Sequence, residues 1–199
     1  MRGKHHQRTR NQARSTRAGY TLIEVMMAVA IMTVGSVGIL SLHQATTNGN
    51  RGAREMSTAT DLVRLYLERS RRDALLWTAA GNVTNTELLV NVPTSTAVTG
   101  DWFIPAPTIG DSHFDYAGRD TATVADMYFC TNLRASWIIG QEAIRVDTRV
   151  WWHRTASNTN RVAFNCASNP TAITAELAAA APRIRSVAGS TVVRWQGLD

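Results

Sequence analysis

The chain has 199 residues, 21 Lys and Arg against 15 Asp and Glu, and a net charge of +6. Hydrophobic residues make up 44% and charged residues 18%, which argues against wholesale disorder and against a coiled coil. The whole excess lies in residues 1–19, where Arg2, Lys4, Arg8, Arg10, Arg14 and Arg17 occur with no acid. The remainder is electrically neutral, so a folded nucleic-acid-binding domain with a basic face is poorly supported.

Behind this arm, Val25 through Leu42 reads VMMAVAIMTVGSVGILSL, with no formal charge and only Thr33, Ser36 and Ser41 as polar members. As a helix it is about 27 Å long, and the apolar part of residues 20–23 extends it to the roughly 30 Å of a bilayer core. No polar stripe marks it as the core helix of a soluble protein. Basic residues in front predict a cytoplasmic N-terminus, with residues 43–199 across the membrane. A cleaved secretory signal is the plain alternative, but no small-residue cleavage site follows Leu42. Glu24 stands at the edge of the span. Either it is hydrated at the headgroup level, or it pairs with a cation supplied by another chain.

The run Gly19-Tyr20-Thr21-Leu22-Ile23-Glu24-Val25, between a basic arm and a long apolar stretch, resembles the N-terminal signature of type IV prepilins and pseudopilins. The resemblance covers residues 17–42. It implies that a prepilin peptidase cuts after Gly19 and that the new N-terminal residue, Tyr20, is N-methylated. It implies further that Glu24 meets the α-amine of a neighbouring subunit and fixes the axial register of a filament. The subunit would wait in the inner membrane with its head in the periplasm, then pass into a pilus or its tip. Among family members the chain resembles the minor pilins of the PilV class, which are related to minor pseudopilins of type II secretion. That implies a non-enzymatic subunit helping to initiate pilus assembly. Its partners would be other minor and major pilins, the inner-membrane assembly platform and a tip adhesin. No proline occurs before Pro93, which leaves Gly35 and Gly38 as the weak points of the span.

The resulting division is 1–19 leader, 20–42 apolar helix, 43–78 amphipathic continuation and 79–199 head. Helical spacing joins Met56, Ala59, Val63, Tyr66, Ser70, Ala74 and Trp77 on one face. One helix from about residue 21 to 77 is predicted, with a soft joint at 48–52 because Gly49 and Gly52 each cost about 1 kcal/mol relative to Ala. Glu68 and Arg72 are spaced as an i,i+4 pair.

In the head, Glu87–Val92 reads as a short strand and Ala143–Trp152 as the clearest one. Arg161–Asn165 and Arg183–Trp195 offer more strands, with a turn near Ala188-Gly189-Ser190, and Glu176–Ala181 a helical turn. The expected fold class is α+β, a long N-terminal helix packed on a small antiparallel sheet. Cys130 and Cys166 would meet an oxidising compartment if the head is periplasmic. A disulfide between them would be worth about 3–4 kcal/mol, and two separate buried thiols are the alternative.

No His, Ser or Cys is spaced for catalysis, and neither a cofactor motif nor a metal motif is present, so no enzymatic role is expected. Asp111, Asp115, Asp120 and Asp126 read as a solvated loop, with calcium binding as the alternative. The tryptophans read first as packing residues, with a sugar- or surface-binding role for Trp151 as the alternative.

Overall fold

A computed structural model describes residues 19–105, 113–153, 166 and 184–196. The fold class is α+β: helix α1 (Leu22–Asp73) packs on a four-stranded antiparallel sheet. Strands β1 (His113–Phe114), β2 (Phe129–Ile139), β3 (Ala143–His153) and β4 (Ile184–Arg194) lie side by side in chain order. The chain divides into two compact units at Gly49/Asn50, and each is described by itself below.

The helical assignment of α1 continues where a soft joint was expected. Residues 48–52, Gly35 and Gly38 are all helical. A glycine costs about 1 kcal/mol in a helix interior, less than it takes to stop and renucleate one. Gly52 also has a use: a Cβ there would come within 3.1 Å of the Arg185 guanidinium. The buried residues of α1 are Glu55, Ala59, Leu62, Val63, Tyr66, Ser70 and Asp73, at steps of three and four apart from the adjacent Leu62 and Val63. The stripe thus begins at Glu55, and Met56 is exposed. Glu68 pairs with Arg71 rather than with the expected Arg72.

The α-helix stops at Asp73, four residues earlier than expected, and a 3-10 turn over Ala74–Leu76 follows. Asp73 also explains why Glu87–Val92 is not a strand. Its Oδ1 accepts a hydrogen bond from the Glu87 amide at 2.7 Å. Its Oδ2 accepts from the Leu88 and Leu89 amides at 2.8 and 2.9 Å. Those amides are the donors a strand would have used, and the segment instead forms a 3-10 turn at Leu89–Asn91. Leu88 and Leu89 are thereby held in the core. Asp73→Ala would strand three amide donors, two of them on buried residues. It is expected to cost about 2–4 kcal/mol, with Asp73→Asn costing less. A thermal melt of the full chain in detergent checks both.

β2 and β3 form a hairpin that pairs Cys130 with Trp151 and runs to Ile139 opposite Ala143. β2 falls on a segment not expected to be a strand. β3 lies where expected, and its inward side chains Ile144, Val146, Val150 and Trp152 are buried against α1 with Leu133 and Phe129. β4 continues straight through Ala188-Gly189-Ser190, where a turn was expected. Gly189 sits opposite Thr148, and a Cβ there would come within 2.7 Å of Val63 Cγ1 and 3.2 Å of Leu67 Cδ1. The glycine serves helix–sheet approach, not chain reversal.

The other side of β3 is covered as well. Trp151 is buried beside Cys130 and Cys166, whose Cα atoms are 5.4 Å apart and whose sulfurs are bonded. Its Nε1 donates to Asn132 Oδ1 at 2.9 Å. A ring so enclosed offers no face to a sugar. The expected elements at 161–165 and 176–181 lie outside the described residues.

Candidate functional site

The site suggested by the sequence is the start of α1. Gly19 and Tyr20 are exposed and non-helical, and Thr21 precedes the first helical residue. The Thr21 carbonyl accepts from the Glu24 and Val25 amides at 3.0 and 3.3 Å. The Thr21 hydroxyl also accepts from the Glu24 amide, at 3.4 Å. Thr21 is therefore the N-cap, and Thr-Leu-Ile-Glu has the order of a capping box. This role of the threonine escaped the sequence reading, although a threonine three residues before a glutamate is its signal. Glu24 is exposed, in the first turn, where the helix dipole favours a carboxylate. No cation of the described residues pairs with it, and residues 1–18 lie outside the described set.

From Leu22 to Leu42 every side chain is exposed, including Ile31, Met32 and Val34 at 71, 73 and 76%. The first part of α1 is long and apolar enough to cross a membrane, with a mean hydropathy of 2.2. Its hydroxyls are turned onto its own backbone. Thr33 donates to the Ala30 carbonyl at 2.7 Å, Ser36 to Met32 at 2.8 Å and Ser41 to Gly38 at 2.8 Å. A helix with its polar atoms satisfied internally can sit in hydrocarbon.

Residues 14–40 match the family described as the prokaryotic N-terminal methylation motif. The N-terminal segment is type IV pilin-like. The motif implies processing by a prepilin peptidase and assembly into a pilus or pseudopilus, and it marks structural subunits rather than enzymes. No curated protein and no solved structure matches the chain.

Within the second unit a different residue organises the geometry, and the sequence reading missed it. Glu55 is buried at 6% exposure. Its Oε1 accepts from the Tyr128 hydroxyl at 2.8 Å and from Arg51 Nε at 3.2 Å. Its Oε2 accepts from Trp152 Nε1 at 3.2 Å. One acid of α1 thus ties the helix to β3 and to the residue just before β2. The signal was an acid at an apolar position of a helical stripe, which needs partners when buried.

On the outer side of the sheet, the Arg149 and Arg134 guanidinium carbons stand 4.1 and 4.7 Å from the centre of the Trp102 ring. Arg134 also pairs with Asp147 at 2.9 Å, and Arg145 with Asp147 at 2.7 Å. Burial, with Arg134 adding, pushes the Arg149 guanidinium down to about 10, still protonated at neutral pH. This cluster braces the sheet.

In the acidic stretch, Asp115 Oδ1 accepts from the Ala117 and Arg119 amides at 2.8 and 2.9 Å. It closes its own turn. Asp111 lies outside the described residues. Among the described residues, no group of three His, Cys, Asp or Glu side chains could hold a metal ion.

Proposed function

We propose that the chain is a minor type IV pilin, a structural subunit that joins other pilins in a priming or tip complex. The observation that carries this reading is the methylation motif at 14–40, which runs into an apolar helix that no described residue of its own unit covers. Cleavage after Gly19 creates an α-amine on Tyr20. That amine and the Glu24 carboxylate are opposite charges at one end of an apolar rod. Two charges taken out of water are costly unless they meet, so their pairing between neighbouring subunits selects one axial register. The head, with its sheet locked to α1 by Glu55, supplies specific lateral contacts. The prepilin peptidase, the inner-membrane platform, major pilins and a tip adhesin are the partners this reading names.

A minor pseudopilin of a type II secretion system is the second reading, since the same motif serves pseudopili. Co-purification with pilus or with secretion components separates the two. A membrane-anchored periplasmic sensor is the reading from another class, and it requires an uncut N-terminus.

The test is mass spectrometry of the chain recovered from cells. The expected N-terminus is a methylated Tyr20, and an unprocessed leader overturns the proposal. In the same cells Glu24→Gln is expected to be processed yet to enter filaments at least about tenfold less often, as befits a loss of 1.4 kcal/mol or more. Unchanged incorporation removes Glu24 from the register role.

A further inference from the structure

The loop that follows α1 carries Asn82-Val83-Thr84, the one Asn-x-Ser/Thr triplet of the chain whose middle residue is not proline. Such a triplet accepts N-linked sugar when it lies in a surface loop of a protein carried across a membrane. Three letters recur by chance, so the setting of the triplet has to decide.

Asn82 and Thr84 are exposed, and Val83 between them is buried at 8% exposure. The Val83 carbonyl accepts from the Thr86 amide at 3.0 Å and from the Thr86 hydroxyl at 2.6 Å. In front of the triplet, the Asn82 amide donates to the Ala79 carbonyl at 2.9 Å. The Gly81 amide donates to the carbonyl of Gln141, in the connection between β2 and β3, also at 2.9 Å. Gly81 turns the chain there with a φ of 72°, which glycine adopts freely. The triplet is thus pinned from both sides, with its middle residue in the core and its outer two in solvent.

The Asn82 side chain is held by its oxygen alone. Oδ1 accepts from the Thr84 hydroxyl at 2.7 Å and from the Thr84 amide at 3.3 Å, which closes an Asx turn. Among the described residues nothing accepts from Nδ2. The hydroxyl that defines the triplet therefore already touches the carboxamide, and the nitrogen is left for a reaction partner. Asn85, also exposed, has Glu87 two residues on and no such hydroxyl.

We propose that Asn82 is a site of N-linked glycosylation, with a lipid-pyrophosphate-linked oligosaccharide as donor and an oligosaccharyltransferase as catalyst. The proposal rests on the reading that the head lies across the membrane. Asn82 Nδ2 forms a bond to the anomeric carbon of the first sugar as the bond from that carbon to the pyrophosphate oxygen breaks. The lipid pyrophosphate leaves with the electron pair, and a base of the transferase takes the Nδ2 proton.

The chain is recovered from its own cells, and the peptide containing residues 82–85 is fragmented in a mass spectrometer. A sugar chain on Asn82 and none on Asn85 is the expected result. Asn82→Asp keeps an oxygen for both Thr84 bonds and removes the nitrogen, so it should fold as the parent does, lose the sugar and run faster on an immunoblot. Thr84→Ala should lose the sugar, and Thr84→Ser should keep it. A bare Asn82 in the parent chain, or a sugar that persists in Asn82→Asp or Thr84→Ala, overturns the proposal. The N-terminus is read in the same preparation. A mature Tyr20 with a bare Asn82 removes this site and leaves the pilin reading, whereas a sugar on Asn82 of a chain that still begins at Met1 does the reverse.

Discussion

Gly19→Ala is expected to leave a chain that retains residues 1–19 and stays out of filaments. The reason lies outside the chain's own fold. A Cβ at Gly19 meets nothing within 4 Å, and the residue does not have the positive φ that only glycine adopts freely. Nothing among the described residues asks for glycine there. On the proposed reading the demand belongs to the prepilin peptidase, whose site must close on the backbone next to the scissile bond. One added methyl in a fitted pocket costs about 1–3 kcal/mol, or tenfold and more in turnover. The variant should insert and fold like the parent. An immunoblot that resolves precursor from mature chain, read beside filament yield, checks the expectation. Normal processing would sink the leader assignment.

The largest change in stability is expected from Glu55→Ala. Tyr128 and Trp152 would each lose their bond to this carboxylate, and weakening a buried donor in this way costs about 1–3 kcal/mol. Arg51 can turn to solvent and to the Tyr116 ring, 5.7 Å from its guanidinium carbon. The total loss should be about 3–5 kcal/mol, the size of breaking one side of a buried charged network. Glu55→Gln should lose less, since an amide oxygen still accepts. Combining Glu55→Leu with Tyr128→Phe should cost less than the two changes summed, because both remove the same Tyr128–Glu55 bond. Tryptophan fluorescence during thermal unfolding of the full chain reports all of these. Strict additivity would show that Glu55 does not organise the helix–sheet contact.

The parts of this fold legible in sequence are those where one signal acts alone. The apolar run at 25–42 needed only its unbroken length and the strand at 143–152 only its alternation, and both segments form the expected element. The failures share a cause: a distant side chain decides the local structure. Leu88 and Leu89 look like strand residues until the Asp73 carboxylate, some fifteen positions away, claims their amides. Ala188-Gly189-Ser190 looks like a turn until Val63 and Leu67 of the helix need the space a Cβ would fill. At the N-terminus the motif was legible, and so was its kinship. Thr21 as a cap was not, because a Thr-x-x-Glu spacing inside an apolar signature carries no charge or periodicity signal of its own. Glu55 was not legible because its partners, Tyr128 and Trp152, lie far along the chain and an acid reads locally as a solvated residue.

The back-bonded hydroxyls of Thr33, Ser36 and Ser41 have a last consequence. A span with no outstanding polar demand is indifferent to what surrounds it, be it acyl chains or other such spans. Exchange between a lipid and a proteinaceous environment then involves no rupture of polar bonds along the span, and the free-energy gap between the two settings is left to the few groups at its ends. Such a part can be stored, recruited and returned without being remade.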